Sequence, residues 1–143
     1  MILLDTTVLV YAVGSDHELR EPCRRLVAAI AASEIEAGTT VEVIQEFAHV
    51  RARRRGRADA AALAQEFAEL LSPLADVSAA ALRTGLRLFA DGDRLGAFDA
   101  VLAAVASTEV VTALVSADRA FATVPGIQHV FPDAAGIDAL LAS

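Results

Sequence analysis

Lysine is absent; all 12 basic residues are arginines. P-loop ATPases, Schiff-base enzymes and receiver-type phosphoacceptor domains each place a lysine in their site, so those classes are excluded. The single cysteine, Cys23, rules out an internal disulfide and a cysteine-rich metal cluster, and suits a reducing, cytoplasmic setting. Tryptophan is missing and aromatics amount to only 5%, against 55% hydrophobic residues with much alanine. Such a core brings helices and strands into close approach instead of packing large rings, and the composition excludes general disorder.

Long apolar runs are also lacking. The longest uncharged stretch, residues 120–132, contains two prolines and falls short of the ~18 residues that a membrane span needs. Met1 leads directly to an apolar run ending at Asp5, without the basic start or small-residue cleavage site of a secretion signal. A soluble single domain over residues 1–143 is expected; a chain of this size buries roughly two-thirds of its unfolded surface. The net charge of −7 opposes broad adhesion to nucleic acid but permits a local basic patch.

What is present alternates between two periodicities. MILLD at the start and TALVSAD from 112 read as short buried strands that stop at small polar residues and an aspartate. Helical patterns cover 18–33, 40–55, 57–72, 78–90 and 96–109, with shorter strand candidates at 35–39, 74–77 and 128–131. Thr39 or Thr40 can cap the helix that follows, Ser72-Pro73 closes the helix before it, and 91–96 and 124–128 are turns. The alternation implies a three-layer α/β/α domain around a central parallel sheet.

In such sheets ligands gather beyond the carboxyl ends of the strands, so Asp5 and Asp118 face one crevice if their strands are neighbours. Each is equally placed to cap the helix that follows, and one carboxylate can do both. Asp99 is the sole charge between Arg94 and Glu109, in a helix that reads as apolar on every face. It is either a protonated, hydrogen-bonded core residue or a functional group facing a cleft. On the helix over 40–55, Glu46 lies about 40° from the apolar stripe at Val50, whereas Glu42 falls deeper in the polar face. Either glutamate can also be simply solvated.

Carboxylates converging on one crevice repel, by about 4 kcal/mol for a pair ~4 Å apart at an effective dielectric of 20. A divalent cation removes that penalty. An all-oxygen site without cysteine or clustered histidine suits Mg²⁺ or Mn²⁺ rather than zinc. Such an ion holds a phosphate oxygen and stabilises the charge that develops when a phosphodiester is hydrolysed, which makes nucleic-acid hydrolysis the natural hypothesis.

Four stretches carry a resemblance: LLDTTVLVYA, TTVEVIQEFAHV, LGAFDAVLAAVA and TALVSADRAF, in this order and spacing. Over nearly the whole chain the sequence resembles the PIN-domain ribonucleases, and more narrowly the VapC toxins of bacterial toxin-antitoxin modules. The resemblance implies an acidic quartet of Asp5, Glu46, Asp99 and Asp118 around Mg²⁺ or Mn²⁺, with Thr7 and Ser116 orienting carboxylates or water. From the residues alone, both hydroxyls could equally serve turns or caps. Many relatives carry a further acid where this chain has Ala120, so one ligand fewer is present for a second ion. Glu42 stands where relatives often have a neutral residue; it assists the quartet or is solvated. The resemblance also implies cleavage of RNA, often transfer RNA or a ribosomal RNA loop, silencing by a VapB-type antitoxin, and a homodimer.

The one dense basic stretch, RARRRGR over 51–57, suits a helix C-terminus or contact with RNA phosphates through Arg53, Arg54 and Arg55. His17, His49 and His129 lack ligand spacing and read as structural or surface residues, and Cys23 reads as a small buried hydrophobe. Two alternatives remain. A haloacid-dehalogenase-like phosphatase also places an aspartate after its first strand, but needs a second aspartate two residues on, where Thr7 stands, and a lysine. A catalytically inert PIN-like module that binds RNA or protein is the other.

Overall fold

The computed structural model describes residues 1–108 and 110–143. Four short parallel strands form one sheet in the order β2-β1-β3-β4: β1 Ile2–Leu4, β2 Ala37–Gly38, β3 Ala113–Val115 and β4 His129–Val130. Strands β1 and β3 are buried throughout, in keeping with their unbroken apolar sequences and with a parallel sheet covered on both faces. Leu4 pairs with Val115, which brings Asp5 and the Ser116–Asp118 segment to one end of the sheet.

Around the sheet lie α1 (Thr6–Ala12), α2 (Arg20–Ala31), α3 (Val41–Arg55), α4 (Arg57–Leu70), α5 (Ala79–Asp91), α6 (Ala97–Ala106), a 3₁₀ turn (Arg119–Thr123) and α7 (Ala134–Leu141). From β1 the chain crosses to one side to make β2, then returns past β1 to make β3. Right-handed crossovers send the helices of those two connections to opposite faces, giving three layers with a topological switch point between β1 and β3. The expected α/β/α class is therefore the observed one.

Local sequence explains the helices that set the site. Thr40 caps α3 by accepting from Val43 N at 3.2 Å, while Thr39 bonds Leu4 O at 2.8 Å and ties the start of α3 to β1. Gly56, at φ 86°, turns the chain straight from α3 into α4. Phe47 then meets Phe67 edge-to-face at 5.1 Å across the pair. Phe47 is fully buried, a contribution of about 1.5–3 kcal/mol from its burial alone. Gly85 lets α5 cross close over α6, since a Cβ there would stand 2.5 Å from Val101 Cα.

Residues 6–12 form α1, the helix that Asp5 was expected to cap; Asp5 does cap it, and its buried face packs into the core although TTVLVYA is rich in β-branched residues. Two sequence expectations need correction. Residues 74–77 make only a single bridge, Thr40 to Ala75, instead of a strand. The helix expected over 96–109 ends at Ala106, and Glu109 lies outside the described residues. The short α7 also carried no expectation. Among the described residues, no helix is long and apolar enough to cross a membrane.

Candidate active site

At the switch point a cavity of about 490 Å³ opens, and Asp5, Glu46, Asp99 and Asp118 all line it. The fold gathers them from the ends of β1 and β3, from the middle of α3 and from the first turn of α6. Asp5 is 3% exposed and is the most tightly held. Its Oδ2 accepts from Thr7 Oγ1 at 2.8 Å and from Ser116 Oγ at 2.7 Å. Asp118 Oδ1 accepts from Ala120 N at 2.9 Å, so this residue caps the 3₁₀ turn while lining the cavity. Capping and cavity-facing roles thus coexist in Asp5 and Asp118.

Glu46 Oε2 accepts from Thr6 Oγ1 at 2.9 Å, a bond between α1 and α3 that aims the carboxylate. Thr6 was not singled out in the sequence, because a hydroxyl next to Asp5 gives no hint of a partner on another helix. Asp99 has no hydrogen-bond partner among the described residues. Its helix is apolar on every face, as expected, but not buried all round; the first turn is open, with Phe98 38% exposed and Asp99 half-buried. Burial first, and then the negative charges of Asp5, Asp118 and Glu46, push the Asp99 carboxyl up to about 7.

Glu42 does not join this cavity. It lines a second, mainly apolar hollow of about 460 Å³ with Leu82, Leu86, Phe98 and Val101, and its Oε2 is buried without a partner among the described residues. One helical turn of about 6 Å separates it from Glu46, enough to carry it past the acids toward α5 and α6. Of the three arginines proposed for RNA contact, Arg54 lines the acidic cavity, Arg53 lines a separate hollow with His49, and Arg55 lines neither. Arg51 is structural: it bonds Asp59 at 2.6 Å and Val13 O at 2.9 Å.

Tyr11 and His17 also line the acidic cavity; His17 is exposed, in keeping with the structural or surface role expected of it, but its place in the cavity wall carried no expectation. His129 is structural, as expected, with Nε2 2.9 Å from Ser116 O. Burial pushes the Cys23 thiol up to about 12, which removes it as a nucleophile.

Among the described residues, no three acid, histidine or cysteine groups converge closely enough to clasp a bare ion. The donor set nevertheless fits a hydrated one. Mg²⁺ keeps several waters and takes only one or two carboxylates directly. Asp99 is unpaired among the described residues, Asp5, Glu46 and Asp118 each have an oxygen outside the hydrogen bonds above, and the four acids repel in a way a cation relieves.

Residues 2–127 match the PIN domain family. The chain is also 57% identical to Ribonuclease VapC7 of Mycobacterium tuberculosis (strain ATCC 25618 / H37Rv), over 99% of this chain and 98% of that protein. The chain belongs to the VapC branch of the PIN domain family. The crystal structure of Mycobacterium tuberculosis VapC20, a sarcin-ricin loop cleaving toxin, superposes on this PIN domain with a TM-score of 0.71. It covers 89% of this chain and 98% of that one at 18% identity, and so speaks for the fold alone. A PIN domain is not a haloacid-dehalogenase fold, and the phosphatase alternative closes.

Proposed function

We propose that residues 1–143 act as one domain, a divalent-cation-dependent endoribonuclease of the VapC toxin type that hydrolyses RNA phosphodiester bonds in the cytoplasm. The observation that carries this reading is the meeting of Asp5, Glu46, Asp99 and Asp118 in one cavity at the switch point. All four are candidates to hold Mg²⁺ or Mn²⁺. When bound, the cation neutralises the acids, polarises the scissile phosphodiester and acidifies water.

The chain's own part is positioning. Thr7 and Ser116 fix Asp5, Thr6 fixes Glu46, and Ala120 N fixes Asp118, so three carboxylates are oriented before RNA arrives. Arg54 at the rim supplies a positive group for a backbone phosphate. No covalent enzyme intermediate is expected, and water attacks phosphorus directly.

Transfer RNA and ribosomal RNA loops are the expected targets. The expected silencer is a VapB-type antitoxin, and a basic side chain is the chemical complement of an acidic cavity. The expected homodimer has a candidate face on α5 and α6, where Leu82, Leu86, Phe89 and Phe98 are exposed. Exposed Arg83 and Arg87 beside them match the unpartnered Glu42 of a second copy.

The deciding experiment incubates total RNA with the protein and Mg²⁺ or Mn²⁺, with EDTA, and with a folded Asp99→Asn variant. Cleavage is expected only in the first case. If Asp99→Asn cut as fast as the parent, the assignment would fail, and absence of Mn²⁺ binding by calorimetry would favour the inert module.

A further inference from the structure

The acidic cavity has a second wall of different character. Tyr11, near the end of α1, and His17, in the loop leading to α2, both line it. Their ring centroids lie 4.5 Å apart with a tilt of 31°. Tyr11 is half-buried and His17 exposed, so the phenol ring backs the imidazole. His17 Nδ1 also accepts from Leu19 N at 3.1 Å, which leaves the proton on Nε2 and stops the ring from turning. An exposed histidine is ordinarily free to rotate; this one is held on two sides. Arg54, from α3, is exposed at the same cavity and forms no ion pair among the described residues.

A flat ring fixed in the wall of a cavity that Arg54 and several carboxylates, Asp16 next to the ring among them, also line is the arrangement that single-stranded nucleic acid recognises. Bases stack on aromatic faces, and cationic groups track the phosphates. We propose that Tyr11, His17 and Arg54 form a nucleotide subsite. One unpaired nucleobase stacks on the His17 imidazole, and Arg54 binds the phosphate between that nucleotide and the scissile bond. The inference rests on the ribonuclease reading above and extends it to the substrate: the RNA enters single-stranded, because a paired base is already stacked on both faces and cannot reach the ledge.

Binding of a short fluorescent adenylate oligonucleotide, followed by anisotropy in the non-cleaving Asp99→Asn background, tests the subsite without requiring turnover. His17→Ala is expected to weaken binding about ten-fold, whereas His17→Phe, which keeps a flat ring, binds like its parent. Oligonucleotides with one abasic nucleotide at each position in turn should lose affinity most at a single position. That loss should vanish in His17→Ala. In the active protein, His17→Ala should raise KM more than it lowers kcat.

Equal binding by His17→Ala and its parent, or an abasic effect that persists undiminished in His17→Ala, overturns the subsite. The two readings fail separately. RNA that binds through this ledge but is never cut counts against the nuclease, while cleavage that ignores His17 counts against the ledge.

Discussion

Ser116 Oγ donates to Asp5 Oδ2 at 2.7 Å, joining the end of β3 to the end of β1. Thr7 Oγ1 reaches the same oxygen at 2.8 Å. Both hydroxyls are themselves anchored by the backbone, Ser116 Oγ by Asp118 N and Thr7 Oγ1 by Ala117 N, each at 3.0 Å. A nearly buried carboxylate is therefore fixed through one oxygen, and successive bonds in such a network strengthen one another.

Removing either hydroxyl should loosen the site before it unfolds the protein. Ser116→Ala and Thr7→Val are each expected to lower Mn²⁺ affinity by about 10- to 100-fold and stability by about 1–3 kcal/mol. Thr7→Ser, which keeps the hydroxyl, should restore most of both. Titration calorimetry alongside thermal melting separates the roles. Unchanged Mn²⁺ affinity with a lowered melting temperature would reduce the two hydroxyls to scaffolding.

Asp99 gives the metal-free protein a particular pH dependence. Its carboxyl moves from 3.8 to about 7 on folding, so the folded chain holds this proton more tightly than the unfolded chain. Its contribution favours folding at low pH and is lost as pH rises through about 7. The melting temperature of the parent, measured against Asp99→Asn in EDTA, should fall between pH 4 and pH 8, spanning that shift. Added Mn²⁺ should reverse the fall at the upper end. A difference that stays flat with pH would mean that neither burial nor the neighbouring acids raise the Asp99 carboxyl.

The strand ends were the most legible part of this chain. MILLD and TALVSAD are apolar runs halted by aspartates, and burial on both faces leaves such runs little other use, so Asp5 and Asp118 followed directly. Asp99 and Glu46 were legible as exceptions, an acid in an apolar helix and an acid beside an apolar stripe. The helix over 6–12 was legible only through Asp5 as its cap, because its β-branched composition gives no helical signal of its own. Glu42 looked like a partner of Glu46 on helical spacing, which says nothing about which neighbouring helix each residue meets. His17 was hidden for a similar reason: it reaches the cavity from the loop after α1, which Arg51 of α3 ties down through Val13 O, a contact between distant parts of the chain.

The arginines of the α3 C-terminus should divide in their effect on RNA binding. Arg54 faces the acidic cavity, whereas Arg53 and Arg55 do not line it. Arg54→Gln is expected to reduce the slope of log affinity against log salt concentration by about one, as for one lost phosphate contact. Arg53→Gln and Arg55→Gln should leave that slope closer to the parent's. Equal slopes in all three variants and the parent would make the whole basic stretch a solvated helix end.

The α5–α6 face makes the expected homodimer testable without any substrate. Leu82, Leu86 and Phe89 recur along one side of α5 at 45%, 47% and 46% exposure, beside Phe98 at 38%. Such a stripe seeks cover. Glu42 Oε2, buried without a partner among the described residues, makes a second copy bearing Arg83 and Arg87 the fitting cover, since a buried carboxylate gains most from a cation it lacks. Leu86→Glu should yield a monomer by light scattering and melt as the parent monomer does, because an exposed position contributes within about 0.5 kcal/mol to the isolated fold. Glu42→Arg alone should also weaken the dimer, and Glu42→Arg combined with Arg83→Glu and Arg87→Glu should recover it. A Leu86→Glu protein that remains dimeric would move the contact to another face and leave Glu42 unexplained by self-association.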